Sequence, residues 1–323
     1  MIRSNHNSFG LVIAGLTLTA VLSGNPGAAD AQQIVFLPGA QVNQSAGADA
    51  AFAGNDAVTV KTFGPVSDAH TSPPGSFGEG AGAASGAVTG LPSPMVTASA
   101  SGSTVVGAVP PGYESYIDNG GGYTALLTYS FEVLGPTATV GLQVKSLAQY
   151  ATTALTHGMR VDAFIQTGIT QMDAGGGVVA NLMSDTSTLD VNTENAVPIV
   201  LGSSDMTGSI GTGFAGGYNE QGVFTFQTYT RYDVGLQVRI DAYVNGFGGA
   251  AGISASVDPI FAVAPGVANA GDYSFLFSDG IGNTPLDAGG GVPEPSVWAL
   301  VLLGFGGLGA ALRRRRRGML ALA

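Results

Sequence analysis

Two short segments share a spacing that could do acid–base chemistry. Arg160-Val161-Asp162-Ala163-Phe164 and Arg239-Ile240-Asp241-Ala242-Tyr243 each set an aspartate two residues after an arginine. Residues two apart on a strand share a face, so each aspartate would stand beside a cation. Two carboxylates at a fixed separation are what glycoside hydrolysis needs. The plainer reading is exposed Arg/Asp pairing, worth little energetically. Other chemistry is thinly supplied. There is no cysteine, which excludes disulfides, thiolate metal sites and a cysteine nucleophile. A serine triad needs a base, and beyond the first thirty residues only His70 and His157 could act as one. His70 lies in a Pro/Gly-rich stretch, His157 precedes Gly158, and no G-x-S-x-G elbow is present. No cofactor is expected unless it is calcium. Asp118-Asn119-Gly120 and Asp279-Gly280 with Asn283 could offer it oxygen ligands, but neither has EF-hand spacing and both read better as turns. Gly175-Gly176-Gly177 and the glycines of 211–217 lack the lysine and the helix of a phosphate loop. Glu114, Glu132 and Glu220 are isolated in the sequence.

The elements that must hold such residues are strands. Tyr123–Val133, Thr137–Tyr150, Met159–Thr167, Gly222–Thr230, Val234–Phe247, Gly252–Val263 and Tyr273–Phe277 are rich in β-branched and aromatic residues, with Gly, Pro, Asn and Asp between them. Polar and apolar residues alternate through Arg239–Asn245 and Arg160–Gln166, as on strands buried on one side. Ala148–Leu155 is the one weak helical candidate. The pattern predicts a mainly β protein, an antiparallel β-sandwich of jelly-roll-like type spanning residues 113–288. Residues 32–112 read as a Gly/Ala/Ser/Pro-rich, partly flexible N-terminal region. Its short strand candidates are 34–37, 57–60 and 104–109, and 64–112 reads as a long loop. Exposed tyrosines 229, 232 and 243 suggest a carbohydrate-binding surface.

The two ends read as addresses. Residues 1–31 have the form of a signal peptide, a leader helix with Arg3, an apolar stretch from Phe9 to Leu22, and Ala29 and Ala31 at the cleavage site. At the other end, residues 289–323 begin with glycines and continue through Pro293, Glu294 and Pro295. Seventeen uncharged residues, 296–312, follow, and then Arg313, Arg314, Arg315, Arg316 and Arg317. That run makes about 25 Å of helix, near the lower limit for a transmembrane span. Trp298 suits the outer interface, and the arginines hold the far end in the cytoplasm. The prolines keep the segment before the helix extended and accessible. A stop-transfer helix preceded by a cleaved leader puts the bulk of the chain outside. That bulk, residues 32–292, carries five basic and twenty acidic residues, a surface that repels nucleic acid.

The order Pro-Glu-Pro, apolar helix with Gly304, Gly306, Gly307 and Gly309, then arginine cluster resembles the PEP-CTERM sorting signal of Gram-negative bacteria. The segment 318–323 runs on past the arginines, farther than is usual for that signal. The resemblance implies an exosortase as partner, transient anchoring in the membrane and release to the cell surface or medium after processing. It also implies association with exopolysaccharide and biofilm. The expectation is a non-catalytic surface or matrix protein. The alternatives are a secreted carbohydrate-binding module and a glycan-active enzyme using Asp162 and Asp241.

Overall fold

The computed structural model describes residues 37–50, 54–72, 79–105, 118–193, 198–203, 205–245 and 249–283. The chain divides into two units, residues 1–284 and 285–323. The second lies outside the described residues, as do the leader, the span 296–312 and the arginine cluster. No helix among the described residues is long and apolar enough to cross a membrane.

The described residues form two antiparallel sheets. The strands are β1 (Gln41–Ala50), β2 (Gly54–Val60), β3 (Gly64–Thr71), β4 (Gly80–Thr89), β5 (Met95–Thr104), β6 (Asp118–Leu134), β7 (Thr139–Thr152) and β8 (Met159–Met172). They continue as β9 (Val178–Asn192), β10 (Ile199–Gly202), β11 (Thr207–Ser209), β12 (Gly213–Gln227), β13 (Arg231–Asn245), β14 (Gly249–Val263) and β15 (Ser274–Phe277). The first sheet has the order β10-β9-β8-β13-β6-β1-β2, with β15 also on β6. The second has the order β11-β12-β7-β14-β5-β4-β3. The pairs β5·β14, β6·β13 and β7·β12 alternate between the sheets, as in a long antiparallel hairpin rolled over the sandwich.

Side-chain alternation builds the core. Along β13, Val234, Leu236, Val238, Ile240, Ala242 and Val244 are fully buried, and the residues between them face outward. β6 crosses the whole core and changes character on the way. Its second half carries Phe131, fully buried and packed on Phe261, Tyr232, Phe226 and Phe277 at centroid distances of 4.6, 5.3, 5.7 and 5.8 Å. Its first half is Asn119 followed by three glycines. There the sheets meet backbone to backbone. A Cβ on Gly82 would stand 2.0 Å from the Gly120 carbonyl oxygen, and one on Gly121 would stand 2.2 Å from that of Ala83.

This close approach corrects the reading of 64–112 as a long loop. Residues 64–71, 80–89 and 95–104 are strands β3, β4 and β5 of the second sheet, and they share its core with strands from beyond residue 118. Sheets this close leave room between them only for glycine, alanine and an occasional valine, so the composition that suggests a linker is that of a thin core. Polar side chains pin the same region. The Ala48 N–H donates to Asp68 Oδ2 at 2.8 Å, the Tyr123 hydroxyl to Gln44 Oε1 at 2.7 Å, and Asn119 Nδ2 to Thr104 Oγ1 at 2.8 Å. The candidate helix at 148–155 is also overturned: Ala148–Thr152 end β7, where Ala148 and Tyr150 face the core. Leu37 lies outside any strand, and 34–36 and 106–109 fall outside the described residues.

The chain enters and leaves the sandwich at one end. Ser278 Oγ donates to the Pro38 carbonyl at 2.6 Å and accepts from the Ser130 N–H at 2.8 Å. Asn283 accepts from the Phe261 N–H at 3.0 Å and donates to its carbonyl at 2.8 Å, like one more residue of a strand.

Candidate functional site

The antiparallel register of β8 and β13 sets Asp162 directly opposite Asp241, and β9 adds Asp190 opposite Asp162. Neighbours in such a ladder lie about 4.5–5.5 Å apart at Cα. The sequence pattern thus identifies two of three carboxylates that stand in one row on the outer face of the first sheet. Each strand supplies its own cation. Arg160 Nη2 is 2.7 Å from Asp162 Oδ2, and Arg239 Nε is 3.2 Å from Asp241 Oδ2. The arginine side chains are about half exposed, at 46% and 53%, while Asp162 and Asp241 keep only 16% and 21%. Phe164 and Tyr243 flank the row on the same face, both half-buried.

The electrostatics of the row are uneven. Burial pushes the Asp162 carboxyl up to about 7; Arg160 opposes this, and Asp190, through its charge and a hydrogen bond, and Asp241 add to it. A carboxyl in that position carries a proton across the mildly acidic range and can donate it to Asp190. Burial works against the Arg160 charge, but the carboxylates of Asp162, Asp190 and Asp241 carry its pKa upward overall. The neighbouring strand β6 contributes an absence of side chains. A Cβ on Gly122 would lie 2.2 Å from Asp241 Oδ1, and one on Gly120 would lie 2.3 Å from Tyr243 Cδ1. Asp241 and Tyr243 therefore lie down over bare backbone.

A second polar group lies between the sheets. Thr167, fully buried on β8, bonds the Tyr218 hydroxyl at 2.7 Å and accepts from Ser146 Oγ at 3.1 Å. Asp185 stands opposite Thr167 on β9, and burial and the Glu220 charge raise its pKa. Burial likewise raises the Tyr218 hydroxyl to about 12.

The other sequence candidates take structural places. His70 Nε2 is 3.5 Å from Asp68 Oδ2, the atom that also caps the Ala48 N–H. His157 sits in the turn before Gly158, whose φ is +82°. Of the calcium candidates, Asn119 is a buried core link, Asn283 is engaged by Phe261 and Gly280 turns the chain at φ +81°. No group of three or more His, Asp or Glu among the described residues could hold a metal ion. Glu132 is buried opposite Arg231, whose guanidinium bonds Asp233 through two nitrogens at 2.7 Å. Of the three tyrosines, Tyr232 is a core residue in the aromatic cluster, which corrects its reading as exposed. Tyr229 holds a turn at φ +53°, and Tyr243 alone lies beside the carboxylate row.

Residues 291–317 match the PEP-CTERM protein-sorting motif. The match covers Pro293, Glu294, Pro295 and the arginines 313–317, all outside the described residues. The chain therefore carries a PEP-CTERM sorting motif, a signal that implies export, sorting by an exosortase and a destination at the cell surface or in the medium. No curated protein matches it. Among solved structures, the T13 particle of infectious bursal disease virus has 9% identity over 87% of this chain and 67% of that one, with a TM-score of 0.14. The Gt strain of the same virus has 10% identity over 87% and 69%, with a TM-score of 0.12. A likeness so slight carries no argument about fold or role.

Proposed function

We propose that this protein is a non-catalytic component of the cell surface or extracellular matrix, delivered by its sorting motif and associated with exopolysaccharide. The observation that carries this reading is the motif at 291–317, joined to a sandwich whose candidate chemistry lies on an open sheet face. The leader opens translocation, the apolar span 296–312 and Arg313–Arg317 halt it, and exosortase acts at Pro293-Glu294-Pro295. The carboxylate row favours contact over hydrolysis. Asp162 and Asp241 each have an arginine partner and stand as cross-strand neighbours on one sheet face rather than on opposite walls of a cleft, where a glycosidase holds its acid and its base or nucleophile.

The fold suits display. The row stands at Gly122 of β6 and the entry and exit of the chain at Ser130. Eight residues of strand separate them, about 26 Å. Mass spectrometry of the exported form is expected to find no peptides beyond about residue 295. Fractionation is expected to place that form with the polysaccharide matrix. An intact Arg313–Arg317 tail on the exported protein would overturn the processing, and a protein wholly free of the matrix would overturn the association.

A further inference from the structure

The carboxylate row belongs to a larger, nearly symmetric arrangement. β8 presents Arg160, Asp162 and Phe164 on its outer side, and β13 presents Arg239, Asp241 and Tyr243. The register pairs Arg160 with Tyr243, Asp162 with Asp241, and Phe164 with Arg239. A local two-fold axis therefore runs between the two aspartates. Each half offers one ring, one guanidinium and one carboxyl. We propose that this face is a binding platform for a neutral, hydroxyl-rich oligosaccharide, with Tyr243 and Phe164 as stacking surfaces and the two Arg–Asp pairs as hydrogen-bonding arms.

The chemistry selects that ligand. Guanidiniums donate and carboxylates accept, so an Arg–Asp pair can hold two neighbouring hydroxyls at once. The Arg160–Asp162 and Arg239–Asp241 contacts are already made at 2.7 and 3.2 Å, which spares the ordering cost of binding. Asp190 and Asp241 match the two arginines even where Asp162 holds its proton, so the row offers no net positive charge to recruit uronates, sulfates or phosphates. Phe164 and Tyr243 are four residues apart along the strands, about 13 Å. That is farther than one pyranose ring spans, so the ligand is an oligomer crossing the axis. Ion pairing alone does not account for the glycines. Exposed pairs contribute about 0–1 kcal/mol, and glycine weakens a strand. Yet Gly120 and Gly122 occupy the positions where any side chain would lift Tyr243 and Asp241 off the sheet. Asp190 departs from the symmetry and gives the Asp162 side a second carboxyl.

The platform rests on the polysaccharide-association reading above but not on processing, so the full chain, solubilised from membranes in detergent, is the material to test. Native gels cast with hydroxyethyl cellulose, laminarin or alginate supply two neutral polymers and one polyuronate. The expected result is retardation in at least one neutral gel and none in alginate. Tyr243→Ala and Phe164→Ala are each expected to weaken binding by about tenfold, roughly the value of a stacking contact. Arg239→Gln, at the most exposed position of the set, is expected to weaken it by a smaller factor while leaving the melting temperature unchanged. Unretarded migration in both neutral gels would overturn the proposal. So would retardation that survives the Tyr243→Ala, Phe164→Ala double variant, or stronger retardation in alginate. Uncleaved chain that binds points to a failure of processing alone, and cleaved chain that does not bind points to a failure of the platform alone.

Discussion

The two ends of β6 pack the same sandwich in opposite ways. Around Phe131 the sheets are held apart by rings, and five aromatic side chains fill the space. Around Gly120 and Gly121 they touch through carbonyls, and the strands that complete the core are built from glycine, alanine and serine. Interior packing density is much the same throughout folded proteins, so side-chain volume and sheet separation must fall together. A thin core gains less from apolar burial, and here it is pinned instead by the buried bonds of Gln44, Tyr123 and Asn119 and the part-buried one of Asp68.

The largest expected effect breaks the thick end. Phe131→Ala removes a fully buried ring at the centre of the cluster and is expected to cost about 3–5 kcal/mol, read as a lower denaturation midpoint. The thin end should fail in the opposite sense, by overfilling. Gly82→Ala sets a Cβ 2.0 Å from the Gly120 carbonyl oxygen and 2.2 Å from that of Asp49, with an expected loss of about 1–3 kcal/mol. A neutral Gly82→Ala would mean that the sheets are not in contact there.

The outer face differs from both cores because its groups titrate. Burial raises Asp162 to about 7, above the ordinary value of about 3.9 for an unfolded chain. Folding therefore favours the protonated form. The stability this group adds is complete below the unfolded value and is lost as pH climbs toward 7. Asp162→Asn is expected to flatten that part of the melting temperature profile between pH 4 and 8, and an unchanged slope would place the titration elsewhere. The smallest effect belongs to the exposed Arg239–Asp241 pair at 3.2 Å, where Arg239→Ala is expected to change stability by about 1 kcal/mol or less.

Composition reveals the strands whose own large side chains fill the core. Tyr123–Val133 and Arg239–Asn245 announce themselves because β-branched and aromatic residues alternate with polar ones. β3, β4 and β5 do not, since glycine and alanine rank low among strand formers and gain their place only from the sheet opposite. The site divides in the same way. The Arg-x-Asp spacing is visible in the sequence, while the register that pairs Asp162 with Asp241 is set by residues far from either. Asp190 lies in a strand masked by Val178-Val179-Ala180-Asn181, although the alternation of Ser187, Leu189 and Val191 marks its buried side. Tyr232 differs from Tyr243 in one respect that spacing does expose: odd and even positions of β13 face opposite ways.

The joining of both chain ends beside Ser130 has a mechanical side. A load drawn through the C-terminal segment meets the two Asn283–Phe261 bonds first, the Gly282–Gly90 bond next, then the Ser278 clasp and the four-residue β15. These can peel away in sequence, like stitches at a hem, before any strain reaches the long strands that bear Asp162 and Asp241.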